Sequence, residues 1–338
     1  MTYQISVTGE DIVFECTEDE TVLDAAERAG FAIPYSCRKG VCSSCEGGIT
    51  SGEATVRGQG TCVGPAEGVF LCQARPRSDL EIAPKSIKKV EPVSRKTFEA
   101  KVRKIEQPAS DVSVISLRFP IGNRSVFQAG QYLSVLMPDG DSRNYSMANP
   151  PHQNDGIELH IRHVPGGKFS QTVLANLEKG AVLSVELPFG NFTLNEDTDK
   201  PAILIATGTG FAPIKSIVEH QIKQGGSRPM HLYWGANTEA DIYLRSLPDK
   251  WAEKHEWFTF TPVLSNPPDT WNGRTGFVHK AVQSDHPDMS SLEVYACGAP
   301  MMIDAAKKDF CADSKLDKAA FYSDAFVPSG EPTDDMPA

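Results

Sequence analysis

PYSCRKGVCSSCEGG, residues 34–48, decides the fold of the first part of this chain. Cys37, Cys42 and Cys45 stand there as C-x4-C-x2-C, and a fourth cysteine, Cys72, follows in FLCQARP, residues 70–76. That loop spacing ligates a [2Fe-2S] cluster of the plant type. A cluster of this kind restricts the chain to moving single electrons. Gly40, Ser43, Ser44, Gly47 and Gly48 are small or permissive, so the backbone can curl tightly and direct N–H groups at sulfide. Apolar Phe70 and Leu71 lead into Cys72, where burial helps to set the reduction potential. A structural zinc site also takes four thiolates, but as two short pairs, and only one short pair exists here. Cys62, in the turn GQGTCVGP of residues 58–65, is the local rival of Cys72 and is read as an ordinary thiol. Cys16 and Cys311 are read as packing residues. A disulfide framework does not suit a chain of this size without a secretory signal.

At 338 residues the chain suits two or three domains rather than one core. Its 40% hydrophobic and 23% charged content is that of a soluble globular protein. No apolar run approaches the roughly 18 residues that span a bilayer, so no membrane association is expected. MTYQISVTGEDIVFE, residues 1–15, alternates like a strand and lacks the apolar centre of a signal peptide. The expected compartment is the cytoplasm, where thiols stay reduced. A net charge of −11 argues against nucleic acid as a partner. It permits a partner protein with a basic docking face, although simple solubility also accounts for it.

The pattern divides the chain into a first domain (1–90), a linker (91–97), a second domain (98–197), a third (198–327) and a disordered tail (328–338). In the first, YQISVTGEDIVFEC is a hairpin turning at Gly9. ETVLDAAERAG, residues 20–30, is an amphipathic helix with Val22, Leu23, Ala26 and Ala29 on one face and Gly30 as its stop. KSIKKVEPVSRK, residues 85–96, lacks an apolar period and is read as connecting chain. The second domain alternates short strands with turns, as in TFEAKVRKIEQ, VSVISLRFP and AVLSVELPFG, which indicates a small antiparallel barrel. The third alternates apolar strands with helices, as in PAILIATG, IKSIVEHQIKQGG and MHLYWGA, which indicates a parallel sheet covered by helices. The fold class is therefore multidomain, α+β followed by α/β.

Two motifs carry nucleotide chemistry. In Arg143-Asn144-Tyr145-Ser146, the arginine offers a forked cation for pyrophosphate, the tyrosine a flat face, and the serine a hydroxyl for a flavin ring nitrogen. Gly166 and Gly167 then open a helix start, KFSQTVLANL, whose free N–H groups suit phosphate. LIATGTGFAPIKSIVE, residues 204–219, places Gly208 and Gly210 at the end of an apolar strand and Pro213 early in the following helix. Proline replaces the third glycine of the usual dinucleotide fingerprint, and no acidic residue appears about 20 positions on. The turn still sets phosphate at a helix N-terminus. The described order contains no catalytic triad and no H-E-x-x-H metal motif.

The order of these motifs, R-x-Y-S at 143–146, T-G-x-G-x-x-P at 207–213 and C-G-x-P at 297–300, resembles the ferredoxin–NADP reductase superfamily, and within it the fused iron–sulfur flavoprotein reductases. The likeness runs from Tyr3 to Phe326. It implies a β-grasp ferredoxin, an antiparallel flavin barrel and a parallel-sheet nucleotide domain, holding [2Fe-2S], FAD and NADH or NADPH. By this resemblance Cys37, Cys42, Cys45 and Cys72 ligate iron. Arg143, Asn144, Tyr145 and Ser146 bind FAD, with Ser146 near the reactive nitrogen. His160, Arg162 and Val164 line the flavin and its phosphate tail, and Gly167, Lys168 and Ser170 hold the pyrophosphate. Thr207, Gly208, Gly210 and Pro213 border the nicotinamide nucleotide. Cys297, Gly298 and Pro300 shape the pocket where nicotinamide meets flavin, and Phe326 covers the flavin face. Ser146, Cys297 and Phe326 are thus the expected catalytic positions. The implied partner is a terminal oxygenase, first of all a Rieske-type aromatic dioxygenase. A diiron monooxygenase or a deoxysugar dehydratase is an alternative acceptor, and a redox sensor without turnover is an alternative of another class. For coenzyme choice, NADP-specific relatives carry a basic residue after a serine where this chain has Ser265-Asn266. Arg228 or Arg274 are the cations that could instead meet a 2′-phosphate.

Overall fold

A computed structural model describes the chain apart from residues 41–43, 91–94, 165–166, 168, 170–172 and 328–338. The tail expected to be disordered lies outside the described residues, as do Cys42, Ser43, Gly166, Lys168 and Ser170. Contacts group the chain into two units, Met1–Arg95 and Lys96–Ala338.

The first unit contains β1 (Thr2–Val7), β2 (Val13–Thr17), α1 (Val22–Arg28), β3 (Phe31–Ala32), β4 (Glu46–Ser51), β5 (Glu53–Val56), β6 (Gly60–Val63), β7 (Ala66–Phe70), β8 (Ala74–Pro76), β9 (Leu80–Pro84) and β10 (Lys88–Lys89). Its main sheet runs β2-β1-β9-β4-β7, with β1 and β9 parallel and the other pairs antiparallel. α1 is started by Thr21, whose hydroxyl accepts from the Asp24 amide at 3.1 Å. It buries Val22, Leu23, Ala25 and Ala26. Ala29, expected on that face, caps the helix and is exposed, because Gly30 turns the chain away at φ 83°. The stretch read as featureless connecting chain contributes β10, which pairs antiparallel with β3.

The second unit opens with a six-stranded antiparallel sheet: β11 (Lys96–Ala109), β12 (Val112–Arg118), β13 (Tyr132–Leu136), β14 (Ser142–Ser146), β15 (Gly156–Arg162) and β16 (Val182–Phe189). They lie in the order β14-β13-β16-β11-β12-β15. A bridge between Met147 and Leu159 joins the two ends and curls the sheet into a barrel. Alternation places Phe98, Ala100 and Val102 of β11 and Val135 of β13 inside, as the sequence pattern requires. Part of the helix expected in KFSQTVLANL lies outside the described residues, and Leu174–Asn176 forms a single 3-10 turn.

The rest is β17 (Ala202–Thr207), α2 (Phe211–Gln224), β18 (Met230–Ala236), α3 (Ser246–Lys254), β19 (Phe258–Leu264), β20 (Arg274–Thr275), α4 (Val278–Asp285), β21 (Glu293–Gly298), α5 (Pro300–Asp313) and β22 (Phe321–Ala325). The sheet is parallel, ordered β20-β19-β18-β17-β21-β22. β17 and β21 are central and nearly all buried, hence their continuous apolar runs. The order reverses between β17 and β21, and ligands bind at the carboxyl ends beside such a switch point. Phe211, the first residue of α2, stacks on Trp234 of β18 at 4.0 Å, with Tyr243 and Trp251 set around it. That aromatic cluster holds the start of α2 against the sheet. No helix among the described residues is long and apolar enough to cross a membrane.

Candidate functional site

The thiols come first. Cys45 and Cys72 are buried, and their Sγ atoms lie 3.1 Å apart. Cys37 accepts a hydrogen bond from the Lys39 amide at 3.3 Å, so one backbone N–H already points at a sulfur. The Cys72 thiol is raised far above its ordinary pKa, first by its hydrogen bond with Cys45, then by burial and by the charges of Cys45 and Cys37. Among the described residues no three His, Cys, Asp or Glu groups close round a single metal ion. The donors present, cysteine sulfurs with a backbone amide directed at one of them, fit an iron–sulfur cluster. Cys62 lies apart, paired with Ala54 across β5 and β6.

The loop is braced from beneath. Arg38 takes φ 54°, its guanidinium pairs with Asp24 and Glu27 of α1, and it stacks on Tyr35 at 4.7 Å. Gln73 Nε2 donates to the Arg38 and Cys72 carbonyls at 2.7 and 2.9 Å. Gly40 sits at φ 72°, and a Cβ there would lie 3.0 Å from Gln73. Sequence reading assigned no role to Arg38 or Gln73, whose partners lie far along the chain.

The second group lies on β14 and β15. Arg143 is buried and pairs with Asp141. Tyr145 packs on Phe169 at 5.1 Å. Ser146 is 6% exposed, and its Oγ has no hydrogen-bond partner. A buried hydroxyl left unmatched costs about 1–3 kcal/mol, so this atom awaits an acceptor or donor from a bound group. That orphan hydroxyl fits FAD. His160 differs from expectation: it faces inward, with Nδ1 at 2.8 Å from Tyr243 Oη and Nε2 at 3.1 Å from Glu158 Oε1. Both ring nitrogens are engaged by protein, so its imidazole serves the packing of barrel on sheet. Arg162 pairs with Asp111, and Val164 is exposed.

The third group surrounds the switch point. Gly208 takes φ 53° directly beneath Arg162, where a Cβ would stand 3.1 Å from Nη1. A Cβ on Gly210 would fall 2.2 Å from the Cys297 carbonyl, and one on Gly298 would fall 2.1 Å from Thr207 Oγ1. Gly210 and Gly298 are required because the β17 turn and the end of β21 touch backbone to backbone, and Gly208 because its positive φ disfavours a side chain. Thr207 Oγ1 accepts from the Ala299 amide at 3.0 Å, and Pro300 starts α5. Pro213 is buried in the first turn of α2. Cys297 is fully buried and its thiol is raised well above the ordinary value, by burial and then by Asp324. Asp324 lies opposite Cys297 in the β21–β22 ladder and is 5% exposed, a position that sequence reading passed over. Phe326 is half-buried, its amide held by the Gly298 carbonyl at 2.8 Å. Thr207, Gly208, Gly210, Cys297, Gly298 and Phe326 thus converge at the carboxyl edge of β17 and β21.

One cation nominated for a 2′-phosphate is on the wrong edge. Arg228 precedes β18, is buried, and is spent on Glu293 at 2.7 Å and on the Lys200 and Asn195 carbonyls. Arg274 is paired with Asp285.

Three family models match in the same order: a 2Fe-2S iron-sulfur cluster binding domain over residues 5–77, an oxidoreductase FAD-binding domain over 99–194 and an oxidoreductase NAD-binding domain over 204–308. Reductase component 1 of terephthalate 1,2-dioxygenase from Comamonas sp. is 40% identical, over 97% of this chain and 98% of that protein. The chain belongs to the fused iron–sulfur flavoprotein reductases. As such it is an NAD(P)H-dependent oxidoreductase with [2Fe-2S], FAD and a nicotinamide coenzyme, and it passes electrons on to another protein. The CDP-6-deoxy-L-threo-D-glycero-4-hexulose-3-dehydrase reductase of Yersinia pseudotuberculosis is 38% identical, over 97% of this chain and all of that protein. Among solved structures, a cytochrome P450 reductase from Amycolatopsis superposes with TM-score 0.80 at 30% identity, covering 97% of this chain and 100% of that one.

Proposed function

We propose that this reductase delivers electrons to a Rieske-type aromatic dioxygenase, with terephthalate dioxygenase as the model for its partner. The observation that carries the reading is the end-to-end likeness to a terephthalate dioxygenase reductase component. Energetics agree: plant-type clusters sit near about −400 mV, below the range of roughly −150 to +300 mV for Rieske centres. Electrons therefore run downhill to such an acceptor.

Three cofactor modules divide the labour, residues 1–90 for the cluster, 98–197 for FAD and 198–327 for the coenzyme. Bound FAD supplies the exchange between hydride and single-electron chemistry. Arg143, Asn144 and Tyr145 hold it, while Ser146 presents its buried hydroxyl to the ring. Arg162, Val164, Gly167, Lys168 and Ser170 line its phosphate tail. The glycine turn with Thr207 and Pro213 takes the coenzyme's pyrophosphate at the start of α2. Cys297, Gly298 and Pro300 shape a dry wall, and Phe326 screens the flavin face from water. Cys37, Cys42, Cys45 and Cys72 hold iron. Reduced thiols at that site suit the cytoplasm.

A visible spectrum titrated anaerobically with NADH and then NADPH tests the circuit, and ordered bleaching of flavin and cluster is expected. Incubating the reduced protein with purified oxygenase components tests the partner. Whole-length likeness of 38% to a deoxysugar dehydrase reductase supports a second acceptor class. Faster reoxidation by that enzyme than by a Rieske oxygenase decides for it.

A further inference from the structure

Arg95 belongs to no motif. It stands in the connecting chain of residues 91–97, yet contacts assign it to the first unit, as the last residue of that unit. Its guanidinium turns back onto α1. Nη2 pairs with Glu27 Oε2, Nη1 lies 4.0 Å from Asp24 Oδ1, and Tyr35 accepts a hydrogen bond from it. Arg38 of the cysteine loop uses the same three partners: Glu27 Oε2 at 2.9 Å, Asp24 Oδ1, and the Tyr35 ring. Two arginines from distant parts of the chain therefore meet on one carboxylate oxygen.

Glu27 does not serve its own helix. It stands in the last turn of α1, beside the negative end of the helix dipole, and its side chain is only 12% exposed. A carboxylate so placed needs cations. Glu27 and Asp24 against Arg38 alone leave one negative charge uncompensated, and Arg95 balances the four. The balance is struck next to the iron ligands, because Arg38 follows Cys37 and its carbonyl accepts from Gln73 Nε2, which also donates to the Cys72 carbonyl. One electron added at those sulfurs is one more negative charge. A cation held nearby favours that state, and an uncompensated carboxylate opposes it. The pairs are partly buried, so salt screens them less than it screens surface charges.

We propose that Arg95 is a positioning residue of the iron–sulfur site: by neutralising Glu27 it leaves Arg38 held under the cysteine loop and raises the potential at which the site accepts an electron. The inference rests on the ligation by Cys37 and Cys72 given above.

Redox titration of the full, cofactor-loaded chain, read by the electron paramagnetic resonance of the reduced cluster, tests it. Arg95→Gln should lower the midpoint potential, shifting the one-electron equilibrium at least about 3-fold, equivalent to about 30 mV. Glu27→Gln should raise it. The double variant removes one charge of each sign and should return to the wild-type value. Arg95→Lys keeps the charge and should stay close to the wild type. An arginine that only holds the chain gives another pattern, lower melting temperatures in the single variants without opposite movements of potential, and that result overturns the inference. An Arg95→Gln potential equal to the wild type's overturns it too, as does a double variant as low as Arg95→Gln. Where Arg95→Gln does not retain the cluster, Glu27→Gln decides: a potential at or below the wild type's overturns the inference. Cluster signals that persist in Cys72→Ser overturn instead the ligation on which it rests.

Discussion

Ser146 and Cys72 make the sharpest single-residue tests. Ser146→Ala removes a hydroxyl that has no protein partner, so it should cost no stability. It should slow flavin bleaching by NADH about 5- to 10-fold, the effect of one hydrogen bond of about 1 kcal/mol; stopped-flow absorbance measures this. Cys72→Ser should abolish the cluster's visible and electron paramagnetic resonance signals while flavin absorbance persists. Acid stability is also a residue-scale property. Burial, with His286 beside it, depresses His231 from 6.5 to about 4. Burial likewise lowers His160. The unfolded chain takes up these protons first, so the stability is complete above pH 6.5 and falls as the pH drops toward 4. Glu158 acts in the same direction over a lower range. Burial raises it, but the His160 hydrogen bond and the Lys215 charge outweigh that and hold it at about 2. Melting temperatures of the protein and of His231→Gln between pH 7 and 5 should converge as the pH falls, the variant showing the flatter slope.

At the scale of elements, α2 is the joint between barrel and sheet. Lys215 Nζ lies 3.1 Å from Glu158 of β15, 2.9 Å from Glu219 of its own helix and 3.2 Å from the Ala148 carbonyl just beyond β14. Ser216 beside it donates to the Asn149 carbonyl at 2.8 Å. Removing the cation leaves two carboxylates facing each other at a largely buried place. Lys215→Met should therefore lower unfolding free energy by about 3 kcal/mol, and adding Glu158→Gln should recover part of it. Denaturant titration of the two variants and the double variant measures the coupling. None of this was legible in the sequence, because Glu158 and Lys215 are brought together by a crossover that no local period encodes. The partners of His160 were hidden for the same reason: an alternating strand tells which residues face inward, not what they meet there. The strands themselves were legible, since β17 and β21 are buried on both faces and leave unbroken apolar runs. The pairing of Lys88–Lys89 with Phe31–Ala32 was not, since a two-residue strand has no period to read.

At the scale of the molecule, the division at residues 95 and 96 permits a fragment test. Residues 96–338 expressed alone should bind FAD and reduce ferricyanide with NADH, yet lack the cluster bands and fail to reduce an oxygenase. A fragment that still served the oxygenase would remove the cluster from the path. The modular order was legible because each module carries its own local signature: a cysteine loop, short alternating strands, a glycine turn after an apolar run. Which acceptor waits at the end was not, because a docking face has no spacing rule.

The 3.1 Å approach of Cys45 and Cys72 has a practical corollary for anyone preparing the protein. Without metal, the same proximity that suits iron lets a mild oxidant join the two sulfurs covalently. Aerobic growth short of iron should then yield a yellow flavoprotein that resists reconstitution with iron and sulfide until a dithiol reductant has opened the bond.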